Sequence, residues 1–551
     1  MAITQKNMPS SHPPSIINLK KKKVLVVEDF FNFRLTMRRM LRSFNISDIE
    51  EASDGEEAIK KMSYKKYDII LCDYNLGPGK DGQHVLEEAK YRGYMDYSAI
   101  FMMVTALNTT DMVMGALEYQ PDDYLIKPFT KLTLEKKLKN AIKKKANLKK
   151  IERAVEKNDY ANAIALCDEL ISGNTINLTE LLKLKGEILT KKGDYSEAAV
   201  FYEEVLSMGN LPWAMLGLGK IKFITGDYNA AKGLFEKIIA KNDKNVAAYD
   251  WLASTHEKMG NLKEAQKVLQ EAINISPKAI LRQKALGNIA YKNKDLITAE
   301  ASFKEAVKQG KYSFFKSPSD YTGLAKVLVD KNAPEEGLKV LSDAGREFTN
   351  NPEAALQISV TESIAFKKMN REKDARKALA KATQLSANLT DILPQNVELD
   401  LAKAFFLTGN EQSGKAIIQR IVQSNHEDQE LISNVQAVFK DLNIADKGRE
   451  IISMARNEII KLNNDGVKLV KEGNLSKAID FFEQAADNLP ANKIINANAA
   501  HALLLYMQKS GSKPLYLRKA MRFLDRVKNI DPAYKDLESM MKMYNELNRE
   551  V

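Results

Sequence analysis

The stretch "GDYSEAAVFYEEV" from Gly193 returns, altered but recognisable, as "GDYNAAKGLFEKI" from Gly226, "GNLKEAQKVLQEA" from Gly260 and "KDLITAEASFKEA" from Lys294. An earlier copy, "NDYANAIALCDEL", begins at Asn158, so the successive steps are 35, 33, 34 and 34 residues. A fixed period of this length constrains the fold strongly, because one such unit cannot bury its apolar face alone and must stack on its neighbours. Weaker copies start at Asn332, Asn370, Gly409 and Asn443, and a strong one at Gly473. The usual opening, Gly or Asn, then an acidic or amide residue, then an apolar one, describes a helix-turn-helix corner with a residue that tolerates positive φ.

Five positions into the strong copies stand Ala198, Ala231, Ala265, Ala299 and Ala478, small enough to let paired helices approach. Four further on, Tyr202, Phe235, Leu269, Phe303 and Phe482 fill the space between pairs, while Gly186, Gly219, Gly287 and Gly466 precede the corners by seven residues. With Pro277 and Pro490 closing copies, this pattern resembles the tetratricopeptide repeat. The resemblance implies an all-α superhelical solenoid over residues 158–540, of about ten helix pairs, with a capping helix end at 541–551. It also implies a concave groove that binds a protein or peptide. Lys284 and Asn288, one turn apart on a face expected to line that groove, are candidate groove residues for a C-terminal carboxylate, although the neighbouring copies lack the rest of such a clamp. Trp213 and Trp251 read as core.

Before residue 131 the period disappears. Short apolar runs, "KVLVVED" from Lys23, "YDIILCD" from Tyr67, "AIFMMVTA" from Ala99 and "DYLIKPF" from Asp123, alternate with helical stretches. Continuous Val, Ile and Leu runs suit strands buried on both faces, so this part is expected to be an α/β domain with a doubly wound parallel sheet. Ligands in such sheets collect beyond the carboxyl ends of the strands. There the chain places Glu28 and Asp29, then Asp73, Thr105 and Lys127.

Three carboxylates on one edge repel unless a cation neutralises them, and a hard divalent ion with oxygen ligands, Mg2+, is the expected answer. Thr105 can hydrogen-bond a phosphoryl oxygen, Lys127 can pair with another, and Asp73 can act as the nucleophile. A lone strand-terminal aspartate is commonly a turn former, but five such residues in order describe a phosphorylation site.

Those residues resemble the receiver domain of bacterial two-component response regulators, the CheY-like fold. The resemblance implies that Asp73 accepts a phosphoryl group from a histidine kinase and that Glu28, Asp29, Asp73 and the backbone carbonyl of Asn75 hold the metal. It makes Thr105 and Lys127 the phosphoryl contacts, Tyr124 the aromatic switch, and Pro128 the residue after a cis peptide bond. One departure is the turn "NLGPGKDG" after the acceptor, about two residues longer than the family's. Long loops cost little, so the chemistry is expected to survive there while loop dynamics or partner contacts differ.

The expected layout is a disordered extension at 1–20, the receiver at 21–130, a basic helical linker at 131–157 continuing the receiver's last helix, and then the array. Of the net charge of +11, a net +8 falls between Lys131 and Arg153. Nucleic-acid binding through this segment is disfavoured, because it lacks interleaved aromatics and no DNA-binding output signature follows. No apolar run nears the roughly 18 residues of a membrane span, and the N-terminus lacks a signal-peptide core, so a cytoplasmic protein is expected. Two cysteines and five scattered histidines indicate neither a disulfide framework nor structural zinc. No catalytic output signature is visible, and the expected output is protein binding gated by phosphorylation. A competing reading makes the array a static scaffold and the receiver a docking unit or phosphate sink. The residues leave homodimerisation through the receiver open.

Overall fold

Along the central strands every residue but Lys23 is buried, yet neighbours point to opposite faces. Val24 and Val26 join one apolar cluster while Leu25 and Val27 join another. Ile69 and Leu71 alternate with Ile70 and Cys72 in the same way, as do Ile100 and Met102 with Phe101 and Met103. Strands covered on both faces need no polar alternation. They are β1 (Lys23–Val27), β3 (Ile69–Asp73) and β4 (Ile100–Thr105), with β5 (Asp123–Ile126) on one edge. The computed structural model describes residues 19–106, 121–145, 148–173, 178–389, 393–511 and 513–549. Nearly all of the extension expected to be disordered, 1–20, lies outside them.

The sheet is parallel throughout, in the order β2-β1-β3-β4-β5. Strand β2 (Asp48–Ala52), "DIEEA", is a strand that the apolar runs do not announce. It sits at the sheet edge, where Arg38 and Lys65 pair with its acidic side chains at 2.6–3.1 Å and only Ala52 is fully buried. Helices α1 (Phe31–Arg42) and α4 (Lys131–Lys144) cover one face through Met37, Leu41, Leu134, Leu138 and Ala141. Helices α2 (Gly55–Tyr64) and α3 (Gly82–Tyr91) cover the other through Ala58, Met62, Val85, Leu86 and Ala89.

The expectation of one continuous helix over 131–157 is corrected. Helix α4 ends at Lys144, and Lys145, its cap, anchors to the sheet through the Ala99 carbonyl and an ion pair with Asp122 at 2.7 Å. A separate helix, α5 (Leu148–Glu156), puts Ile151, Ala154 and Val155 into a cluster with α6 (Tyr160–Ser172) and α7 (Leu178–Lys192). Burial against two different cores divides what the periodicity alone would have continued.

The chain divides into two compact units, one of them Met1–Lys192 with Asn274–Ala279 and Gln309–Lys316. The other holds antiparallel helix pairs, and here the corner reading is met residue by residue. Each of the ten corner residues, from Asn158 in the first unit to Gly473 in the second, has φ between 56° and 85°, Lys294 included. The residue after the corner often caps the next helix, as Asp194, Asp227 and Asn410 do by accepting from the N–H three residues on. Gly219 and Gly466 are required by close approach, since a Cβ there would lie 2.5 and 2.4 Å from the rings of Phe235 and Phe482.

After the corner at Asn443 one 27-residue helix, Ala445–Lys471, runs through, with no proline to stop it. Within the second unit, repeats distant in sequence also meet. Glu430 pairs with Lys258 at 2.7 Å and Lys292 at 3.4 Å, and Asp441 with Lys294 at 2.9 Å and Lys403 at 3.2 Å.

Candidate phosphoacceptor site

The carboxyl ends of β1 and β3 are adjacent, and their registers carry Glu28, Asp29 and Asp73 to one edge. One oxygen from each lies within 4.8 Å of the others, with Glu28 and Asp73 buried and Asp29 exposed. Lys127, past the end of β5, reaches into this cluster, and its Nζ stands 2.7 Å from both Glu28 Oε2 and Asp73 Oδ2. The Lys127–Pro128 peptide bond is cis. The Lys127 backbone N–H donates to the Thr105 carbonyl at 2.7 Å, which ties the lysine to the end of β4.

Electrostatics at this edge are finely opposed. Burial and the neighbouring Asp73 raise the Glu28 pKa to about 7 against the pull of Lys127. Burial disfavours the Lys127 ammonium, yet hydrogen bonds to Asp73 and Glu28 outweigh it, so its pKa is raised. Three carboxylates crowded at one edge, with one lysine between two of them, make a site short of positive charge. The donor set, three carboxylates with oxygen atoms converging, fits a hard dication of the Mg2+ kind.

Thr105 ends β4 and is buried. Tyr124, on β5, has a buried hydroxyl with no hydrogen-bond partner among the described residues, and burial raises its pKa. The N–H of Asn75 faces Asp73 Oδ1 at 3.4 Å. The lengthened turn passes beside Asp29, where a Cβ on Gly77 would be 3.4 Å from its Oδ2. It ends in a reciprocal cap, Asp81 accepting from the His84 N–H at 2.9 Å while its own N–H donates to His84 Nδ1 at 3.2 Å. Phe33 escaped the sequence reading: Lys127 Nζ lies 4.1 Å from its ring centroid, a cation–π contact that steadies the lysine. The aromatic run "DFFNF" after the acidic pair was the signal available.

Elsewhere, Lys284 pairs with the buried Asp320 at 3.2 Å and Asn288 is exposed. The basic segment is partly met by the receiver's own acids, through Lys137 with Asp123, Lys145 with Asp122, both at 2.7 Å, and Lys149 with Asp68 at 3.3 Å.

A parallel sheet in 2-1-3-4-5 order with an acidic pair, a strand-end aspartate and a lysine converging at its edge defines the class: a phosphoacceptor signalling module. Residues 24–139 match the family described as the response regulator receiver domain, and residues 180–208 and 222–289 match tetratricopeptide repeat families. The chain therefore carries a CheY-like receiver domain followed by tetratricopeptide repeats.

Chemotaxis protein CheY-3 of Vibrio cholerae serotype O1 is 29% identical over 124 residues, spanning 22% of this chain and 93% of that protein. Chemotaxis protein CheY of Pseudomonas aeruginosa is 28% identical over 116 residues, 21% of this chain and 92% of that one. Among solved structures, a tetratricopeptide repeat protein from Parabacteroides merdae covers 48% of this chain and 98% of its own, at 14% identity and a TM-score of 0.32. A two-component response regulator from Clostridium difficile covers 22% and 96%, at 30% identity and a TM-score of 0.20. Among the described residues no helix is long and apolar enough to cross a membrane.

Proposed function

We propose that this chain is a response regulator in which a histidine kinase phosphorylates Asp73 and the repeat array changes its hold on a protein partner. The observation that carries the reading is the convergence of Glu28, Asp29 and Asp73 with Lys127 at 2.7 Å from the acceptor oxygen. An Asp73 carboxylate oxygen attacks phosphorus, the donor's P–N bond breaks, and its electron pair stays on the imidazole nitrogen. Glu28, Asp29, Asp73 and the Asn75 carbonyl would hold Mg2+, which would offset charge on the phosphoryl oxygens. Lys127 pairs with one phosphoryl oxygen and the Thr105 hydroxyl donates to another, while Tyr124 serves as the aromatic that responds to Thr105.

The receiver spans 21–130 and is completed by α4, and the helices from 158 to about 540 form the binding array, with Lys284 and Asn288 on its groove. The arrangement is similar to receiver-tetratricopeptide regulators of the VieB type. A cytoplasmic location is consistent with both modules.

The test is a phosphate-affinity gel of the purified chain incubated with acetyl phosphate and Mg2+. A shifted band that is absent in Asp73→Ala and absent with a chelator is the expected result. Equal mobility in every lane sinks the acceptor reading and leaves the array as a static scaffold.

A further inference from the structure

Glu87 on α3 is a carboxylate only 3% exposed, and the acceptor chemistry does not use it. Its Oε1 accepts the Phe314 backbone N–H at 3.1 Å and the Ser313 hydroxyl. The Phe314 ring lies 4.5 Å from the Tyr91 ring, and the Arg92 guanidinium sits over it at 4.7 Å. Phe315 meets Tyr91 edge-on at 5.5 Å. The Tyr312 carbonyl accepts from Lys80 Nζ at 3.1 Å. Residues 309–316 belong to the same compact unit as the sheet, and in sequence they join the helices Leu296–Gly310 and Pro318–Asp330 of the array.

A buried carboxylate is tolerated only where hydrogen bonds offset its lost hydration. Ser313 and Phe314 supply two of them, and one turn on along α3 the Phe314 and Phe315 rings pack on Tyr91, so the segment meets this helix through both polar and aromatic contacts. The face is also tied to the acceptor. Lys80 closes the lengthened turn and pairs with Glu88 of α3 at 2.9 Å. Gly82, the first residue of α3, presses on the acceptor so closely that a Cβ would meet the Asp73 carbonyl oxygen at 2.1 Å. At its other end the turn passes beside Asp29 at Gly77. The turn that starts at the acceptor and passes beside Asp29 thus ends in the lysine that holds Tyr312.

We propose that the segment 311–316 is an internal ligand of α3, docked while Asp73 is unmodified and released when a phosphoryl group on Asp73 displaces the turn 74–81. This rests on the phosphoacceptor reading above. It names a route of regulation through the lengthened turn and α3, and it delivers the signal directly to a connection between two repeats. Because such coupling is reciprocal, loosening the segment also favours phosphorylation.

The experiment is hydrogen–deuterium exchange of the full chain, with and without acetyl phosphate and Mg2+, with acceptor occupancy read in parallel on a phosphate-affinity gel. Exchange in the peptide spanning 311–316 is expected to rise at least ten-fold on phosphorylation, and not in Asp73→Ala. Phe314→Ala, and independently Glu87→Gln, are expected to raise that exchange without phosphorylation and to speed acceptor modification several-fold. Unchanged exchange with a fully shifted gel band overturns the latch alone. An unshifted band overturns the acceptor reading and with it the switching. Two variants that exchange like the parent chain overturn the docked contact itself.

Discussion

Lys127 Nζ stands 2.7 Å from Asp73 Oδ2, and the same ammonium reaches Glu28 at the same distance. One cation thus serves two buried carboxylates, one of which is to become an acyl phosphate. Lys127→Met removes that charge while keeping the stem against Phe33. Acetyl phosphate should then modify Asp73 at least ten-fold more slowly, whereas Asp73→Ala gives no modification. A Lys127→Met chain labelled at the parental rate on the phosphate-affinity gel would remove the lysine from the site.

Gly82 and Gly233 make opposite predictions for the same substitution. A Cβ at 82 meets backbone, the Asp73 carbonyl oxygen at 2.1 Å, whereas at 233 nothing among the described residues lies within 4 Å. Gly82→Ala should cost about 1–3 kcal/mol of receiver stability and depress phosphorylation. Gly233→Ala, in the helix Tyr228–Lys241, should stabilise its repeat by about 0.5–1 kcal/mol. Urea unfolding read by circular dichroism, with the gel assay for the first variant, distinguishes the two.

The array should fail locally. Phe235 and Phe482 are both fully buried against facing glycines, and truncation of either to Ala should cost about 3–5 kcal/mol. Repeats interact mainly with their neighbours, and Trp251 lies 6.4 Å from Phe235. Phe235→Ala should therefore lower the unfolding midpoint reported by tryptophan fluorescence, and Phe482→Ala should leave it nearly in place. Equal shifts for both would mean that the array unfolds as one unit.

Asp68 gives a pH dependence whose sign can be worked out. Burial disfavours its charge, but the Lys23 N–H and the Lys22 ammonium, each at 3.0 Å, outweigh that and lower its pKa. A carboxyl lowered on folding stabilises the fold above its unfolded value of about 3.9, and that contribution disappears as pH falls through the folded value. Asp68→Asn should cost about 1–2 kcal/mol at pH 6, seen as faster amide exchange in β1 and β3, and the difference should close below about pH 4.

Much of this molecule is written locally. The corner residues adopt positive φ because Gly and Asn tolerate it, and Lys294 follows since the repeat period places it in the same turn. The runs ending at Asp29, Asp73 and Thr105 became the central strands because continuous apolar character suits burial on both faces. The order of polar residues after those runs, with Lys127 last, foretold the acidic edge that the sheet registers assemble. None of these depends on knowing what lies across the fold.

Other features were decided only by tertiary contact. The charged "DIEEA" became β2 because β1 offered a free edge and Arg38 and Lys65 paired with its side chains. The helical period after Lys131 was divided at Lys145, since the residues on either side pack into different cores. Lys284, placed on a groove face by its spacing, has a buried partner in Asp320 on another helix. The seating of Phe314 and Phe315 beside Glu87 and Tyr91 joins positions more than two hundred residues apart. Periodicity fixes which face of an element is apolar, whereas the partner of a particular charge or ring is set by the energy of bringing distant segments together.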